Sequence, residues 1–147
     1  MNLMKGLFSA TTLMAVSAVA VAGSPVGTWR SIDDETKQQR SIISITEENG
    51  ELKGVVEKIF DQPGDPPGHL CEQCKDERKD KPIIGMTILS GMKQAGDAWI
   101  GGQILDPKNG KIYRCTITLS EDGKSLHVRG FIGISLIGRT QTWLRQQ

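Results

Sequence analysis

Aromatic side chains are scarce in this 147-residue sequence: three Trp, three Phe and one Tyr make up 5% of it. So few large rings count against a ligand-lined interior and suit one that is simply filled. Excess charge of one sign is missing too. Eighteen Lys and Arg, one of them Lys5, face seventeen Asp and Glu. A near-neutral chain has no electrostatic case for nucleic acid or an anionic membrane as partner. Beyond residue 22 no apolar run approaches the ~20 residues of a spanning helix, so no transmembrane segment is expected there. No 3.6-residue hydrophobic period runs through the chain, which sets aside a helical architecture.

Catalytic signatures are also lacking. His69 and His127 are the only histidines. His127, between Leu126 and Val128, falls on the solvent side of an alternating run. A Ser-His-Asp list can be written with Ser135 and Asp33 or Asp34, but no G-x-S-x-G nucleophile elbow supports it. Gly133-Ile134-Ser135-Leu136-Ile137-Gly138 is bracketed by glycine, yet it lacks the lysine and following helix of a phosphate loop. We therefore expect no enzyme activity, cofactor or metal ion. The apolar stretch reads instead as a flap over one end of the fold.

What is present begins with a leader. Lys5 precedes an apolar run from Gly6 to Val21, broken only by Ser9, Thr11, Thr12 and Ser17, and Ala20-Val21-Ala22 stands before Gly23. Basic start, apolar middle and A-x-A site follow the order of a cleavable signal peptide. Residues 1–22 are expected to be removed, leaving 23–147 as one periplasmic or secreted domain with a genuine core. No Cys follows the cut, so a lipid anchor is not indicated.

The mature chain alternates between short extended runs and turn residues. Strands are expected at 27–32, 41–46, 52–59, 86–92, 99–105, 112–119, 126–131 and 140–144. Asn49-Gly50 between two such runs is a strong hairpin signal, because both residues tolerate positive φ. Gly101-Gly102 inside a run marks a bend or corner. Eight strands in sequence leave exposed edges unless the sheet closes. The expected fold is all-β, a single eight-stranded up-and-down barrel. In such a barrel alternate connections share an end. The connections at 48–50, 93–97 and 120–124 are short and built on glycine. Those at 33–39, 60–82, 106–110 and 133–138 include every long or unusual loop. Function tends to sit on loops held by a rigid scaffold, so the second set marks the functional end.

Several segments carry a resemblance. Lys81-Pro82-Ile83-Ile84-Gly85-Met86, Gly101-Gly102-Gln103-Ile104-Leu105-Asp106-Pro107, Gly110-Lys111-Ile112-Tyr113, Arg129-Gly130-Phe131-Ile132-Gly133 and Gly138-Arg139-Thr140-Gln141-Thr142-Trp143 resemble the bacterial family called domain of unknown function 2147. The resemblance spans essentially the whole mature chain. It implies an exported protein with a lipocalin-like or fatty-acid-binding-protein-like barrel, and no particular activity. Gly27-Thr28-Trp29 also looks like the first-strand GxW motif of lipocalins, in which a last-strand arginine covers the tryptophan. Arg145 stands where that arginine belongs, and Arg139 falls at the opposite end.

The loop at 60–82 holds Pro63, Pro66, Pro67, His69, Cys71, Cys74 and Pro82. Cys71-Glu72-Gln73-Cys74 has three readings: a local disulfide pinning the loop, a redox-active pair, or a metal site with His69 and Asp76 or Glu77. The disulfide is preferred, since no helix follows the motif and the ligand set is incomplete. Its short loop suggests that removing it costs little stability. Cys115 shares an apolar face with Tyr113 and Ile117 and is expected to stay a buried thiol. Together these features point to an envelope protein binding a small apolar ligand at the loop-rich mouth. Its rim would be formed by Asp33, Asp34, Ile134, Leu136, Ile137 and Arg139. Two alternatives stand beside it: a structural or partner-binding module docking another envelope protein, and a thiol- or metal-handling protein using the Cys71–Cys74 loop.

Overall fold

The computed structural model describes residues 23–134 and 136–147. The leader expected over 1–22 and Ser135 lie outside the described residues. The elements are β1 (Gly27–Ile32), β2 (Gln39–Glu48), β3 (Glu51–Ile59), β4 (Thr87–Ala95), β5 (Ala98–Asp106), β6 (Lys111–Leu119), β7 (Ser125–Phe131) and β8 (Gly138–Arg145). Each strand pairs with its sequence neighbours in antiparallel fashion, and β8 closes on β1 to form a barrel. All eight expected strands are present, most of them longer than the hydrophobic alternation alone implied. Asn49 and Gly50 form the β2–β3 turn with φ of 51° and 78°. The ladder shifts register between Trp99 and Gly102, so the Gly-Gly pair is a bulge that bends β5.

Closure fixes which side chains point inward. Trp29 lies opposite Ile43 and Arg145, Gly54 opposite Ile45 and Leu89, Trp99 opposite Ile117, and Leu126 opposite Trp143. Residues facing each other across an antiparallel pair share a face. The large apolar side chains among these, with Leu52 and Met92, belong to the buried core. Most come from the strand halves nearest the 49–50 turn, so the core is packed toward that end. Each large aliphatic side chain buried there contributes about 1.5–3 kcal/mol.

That end is sealed by an arginine. The Arg145 guanidinium carbon lies 4.2 Å from the centre of the Trp29 ring. Its Nε donates to the Gly123 carbonyl at 2.8 Å, Nη1 to Val26 at 3.0 Å and Nη2 to Ser24 at 2.6 Å. Trp29 Nε1 donates to the Pro25 carbonyl at 2.7 Å. Gly27 explains why the motif opens on glycine. Its φ is 137°, and a Cβ there would stand 2.7 Å from Arg145 Nη1.

The β3–β4 connection is longer than the sequence suggested, because chain 83–86 returns to β3 before β4 begins. Gly85 N donates to Val56 O at 2.7 Å, and Val56 N to Met86 O at 3.0 Å. Within this loop Cys71 and Cys74 form a disulfide. The expected local bridge is present, and it is buried. Cys71 and Cys74 are 0% and 2% exposed and belong to the main core cluster. Spacing reveals the size of the loop that a disulfide closes, but not what covers it. Cys115 is buried and unpaired, and burial pushes its thiol up to about 12.

Candidate functional site

Strand order brings the connections 33–38, 60–86, 107–110 and 132–137 to one end of the barrel. Inside that end lies a cavity of about 840 Å³, lined by residues from all four connections. The cavity opens away from the 49–50, 96–97 and 120–124 turns, whose residues take no part in its lining. Ile43, Val56, Ile88, Ile104, Val128 and Trp143 form its apolar walls. Gly130 faces into it without a side chain, and a Cβ there would stand 3.3 Å from that of Tyr113.

One wall is polar. Ser31 on β1 lies opposite Ser41 on β2 and Trp143 on β8. The two serine hydroxyls are 2.7 Å apart, and Ser31 Oγ accepts the Ser41 backbone N–H at 3.1 Å. Trp143 Nε1 donates to Gln141 Oε1 at 3.1 Å. Ser31, Ser41 and Gln141 all line the cavity. None of the three was singled out from the sequence. The signal was available: each stands two residues mouthward of a buried apolar residue on its own strand, so each is a polar side chain on the inward parity.

The rim is charged and largely self-neutralised. Arg139 reaches Asp34 through Nε–Oδ2 at 2.9 Å and Nη2–Oδ1 at 2.6 Å, with Glu35 at 3.3 Å. This fork ties the β1–β2 loop to the start of β8 and holds the Asp34 carboxyl below its ordinary range. Asp33 caps its own turn by accepting the Glu35 and Thr36 backbone N–H groups at 2.9 and 2.8 Å. The Thr36 N–H is the main cause of its lowered pKa. Arg40 pairs with Asp65 at 3.2 Å, and His69 lies 2.8 Å from Asp61. Burial acts to raise the Asp65 carboxyl, but the Gln62 N–H and Arg40 outweigh it and its pKa is lowered. The disulfide loop is seated against the β5–β6 turn so closely that a Cβ on Gly110 would be 1.8 Å from the Gln73 carbonyl oxygen.

The expected rim residues are thus divided. Asp33, Ile137 and Arg139 line the cavity, and Asp34 anchors Arg139 from just outside it. Ile134 and Leu136 do not line it; they are 59% and 87% exposed. Of the three apolar residues expected to close the end, only Ile137 therefore lines the cavity. The turn, closed by Ile137 N donating to Ile134 O at 3.1 Å, leaves the Ile134 and Leu136 side chains in solvent. His127 is exposed on the outer face of β7 beside Thr142, remote in the fold from Asp33 and Asp34. Among the described residues no group of three or more His, Cys, Asp or Glu side chains is placed to hold a metal ion. Among them, too, no helix is long and apolar enough to cross a membrane.

Comparison with known proteins places this geometry. One solved structure, described as "Protein HP1028 from the human pathogen Helicobacter pylori belongs to the lipocalin family", superposes with a TM-score of 0.72. The match covers 85% of this chain and 84% of that one at 17% identity, and it establishes the fold alone. No curated protein matches the sequence. A family model described as "Uncharacterized protein conserved in bacteria (DUF2147)" matches residues 27–145, every strand of the barrel included. The chain therefore belongs to that bacterial family, with a lipocalin-like barrel as its fold.

Proposed function

We propose that this is an exported envelope protein that carries or sequesters a small, largely apolar molecule, without performing chemistry on it. The observation that carries the proposal is the cavity of about 840 Å³ with apolar walls, sited where the loops gather. Small-molecule sites typically enclose 300–1,000 Å³ and favour barrel mouths. The Cys71–Cys74 disulfide and the leader-like N-terminus support a periplasmic or secreted location. Ligand exchange would pass the open turn that bears Ile134 and Leu136. Those exposed side chains also favour a second reading, in which the rim docks another envelope protein.

The test is intact mass of envelope-purified protein under native and denaturing conditions, followed by titration of the stripped protein with N-phenyl-1-naphthylamine. A native-only added mass and saturable binding of one probe per chain are expected. Neither added mass nor saturable probe binding would overturn the carrier and leave the docking module.

A further inference from the structure

The polar wall narrows the class of ligand. Resting on the carrier reading above, we propose that the cavity selects neutral molecules bearing a hydrogen-bond-accepting oxygen, of the ketone or ester carbonyl type, held by Gln141 and the Ser31–Ser41 pair.

Donor chemistry fixes the direction of this recognition. An indole Nε1 can only donate, so Trp143 turns the oxygen of the Gln141 amide toward itself. The amide nitrogen then faces elsewhere with two N–H groups, and no hydrogen bond engages it among the described residues. In the serine pair one hydroxyl donates to the other, and Ser31 Oγ already accepts the Ser41 N–H. When Ser31 donates across the pair the Ser41 hydroxyl proton is left to offer; when Ser41 donates, the Ser31 proton goes to the Ser41 carbonyl at 3.4 Å. The Gln141 amide nitrogen therefore supplies the wall's standing spare donors, joined by Ser41 when Ser31 donates across the pair, and a ligand oxygen satisfies them.

Charge excludes the obvious competitors. None of the three side chains carries a charge, so an ionised group seated here would be desolvated without a counter-ion. At the rim Asp33, Glu35, Asp65, Glu72 and Asp106 outnumber Arg40, Lys108 and Arg139. Arg40 and Arg139 are already engaged by Asp65 and Asp34. An entering carboxylate meets a net negative rim with its best cations occupied. A cationic head would be welcomed at the rim, but finds no carboxylate at the inner wall.

The experiment displaces N-phenyl-1-naphthylamine from the mature protein at pH 7 with four eleven-carbon competitors: undecane, 2-undecanone, undecanoate and undecylammonium. The ketone is expected to displace most strongly. In Gln141→Leu its advantage over undecane, with both competitors read against the probe affinity of that same variant, should fall by about tenfold, the loss of one or two hydrogen bonds. Ser41→Ala should reduce the advantage less. Stronger displacement by undecanoate or undecylammonium than by the ketone overturns the proposal while the carrier stands. So does an equal effect of undecane and ketone on the unaltered protein, an outcome independent of any variant. Failure of the probe itself to bind removes the carrier, and this proposal with it.

Discussion

The two ends of the barrel are made from the same eight strands and yet are finished in opposite ways. At the closed end one arginine answers three backbone carbonyls and covers one indole, and short turns join the strands. The polar groups of this seal are spent on the protein itself, and the aliphatic core fills the space behind it. At the open end the cations are spent on loop carboxylates instead: Arg139 on Asp34, Arg40 on Asp65. Those pairs brace the rim and leave the middle empty. A void persists because its walls are held by the ladder and its loops by one another, so nothing is free to collapse into it. The difference shows how a small barrel of few aromatics keeps both a solid core and a cavity: it packs one half and props the other.

The sharpest way to break this contrast is to unplug the closed end. Trp29→Ala should cost about 3–5 kcal/mol, a large part of the ~5–15 kcal/mol typical of a domain. The urea midpoint measures it, and a cost below about 1 kcal/mol would mean that the closed end is not where stability resides.

Next comes the disulfide, which belongs to the mouth by sequence and to the core by burial. Cys71→Ala with Cys74→Ala should cost about 2 kcal/mol through unfolded-chain entropy. The corresponding serine pair should cost more, by about 1–3 kcal/mol per hydroxyl left unsatisfied. Equal urea midpoints for the two pairs would show that the bridge site is wetter than the fold implies.

Filling the cavity should separate binding from stability. Gly130→Leu places a side chain in the void and should weaken N-phenyl-1-naphthylamine binding at least about tenfold, or ~1.4 kcal/mol. Its urea midpoint should move less than that of Trp29→Ala. Full retention of probe binding would place the ligand elsewhere.

The smallest effect concerns the rim. Asp34→Asn removes an exposed ion pair worth about 0–1 kcal/mol. Arg139 depresses the Asp34 pKa below the usual 3.8. The pair's contribution is therefore present above that value and is lost as pH falls through the lower, folded-state pKa. Thermal midpoints of the two proteins should differ near pH 6 and converge in strong acid. A difference that persists there would assign the effect to loop geometry and not to charge.

Much of the fold was legible because a strand's period is short and local. Alternation around Trp29, Ile43, Ile117 and Trp143 marks the inward face without reference to any distant residue. Counting strands then decides which loops share an end. The site was legible only in outline. Asp33, Ile137 and Arg139 do line the mouth. Ser31, Ser41 and Gln141 passed as ordinary strand residues, since polarity on the inward parity has meaning only once that interior is known to be empty.

By itself, then, the sequence determined the strands, their order and the shared end of the long loops, which follow from local pattern and from the arithmetic of an up-and-down sheet. The pairing of Gly27-Thr28-Trp29 with Arg145 was what the resemblance to lipocalins implied. Only the tertiary structure decided that the interior is open on one side, that the Cys71–Cys74 bridge is buried, that Ile134 and Leu136 stand away from the cavity, and that Trp143 aims the Gln141 amide. Those outcomes depend on how much volume opposing side chains leave between them and on which donor meets which acceptor across the barrel. Such quantities belong to residues far apart in the chain, and closure alone brings them together.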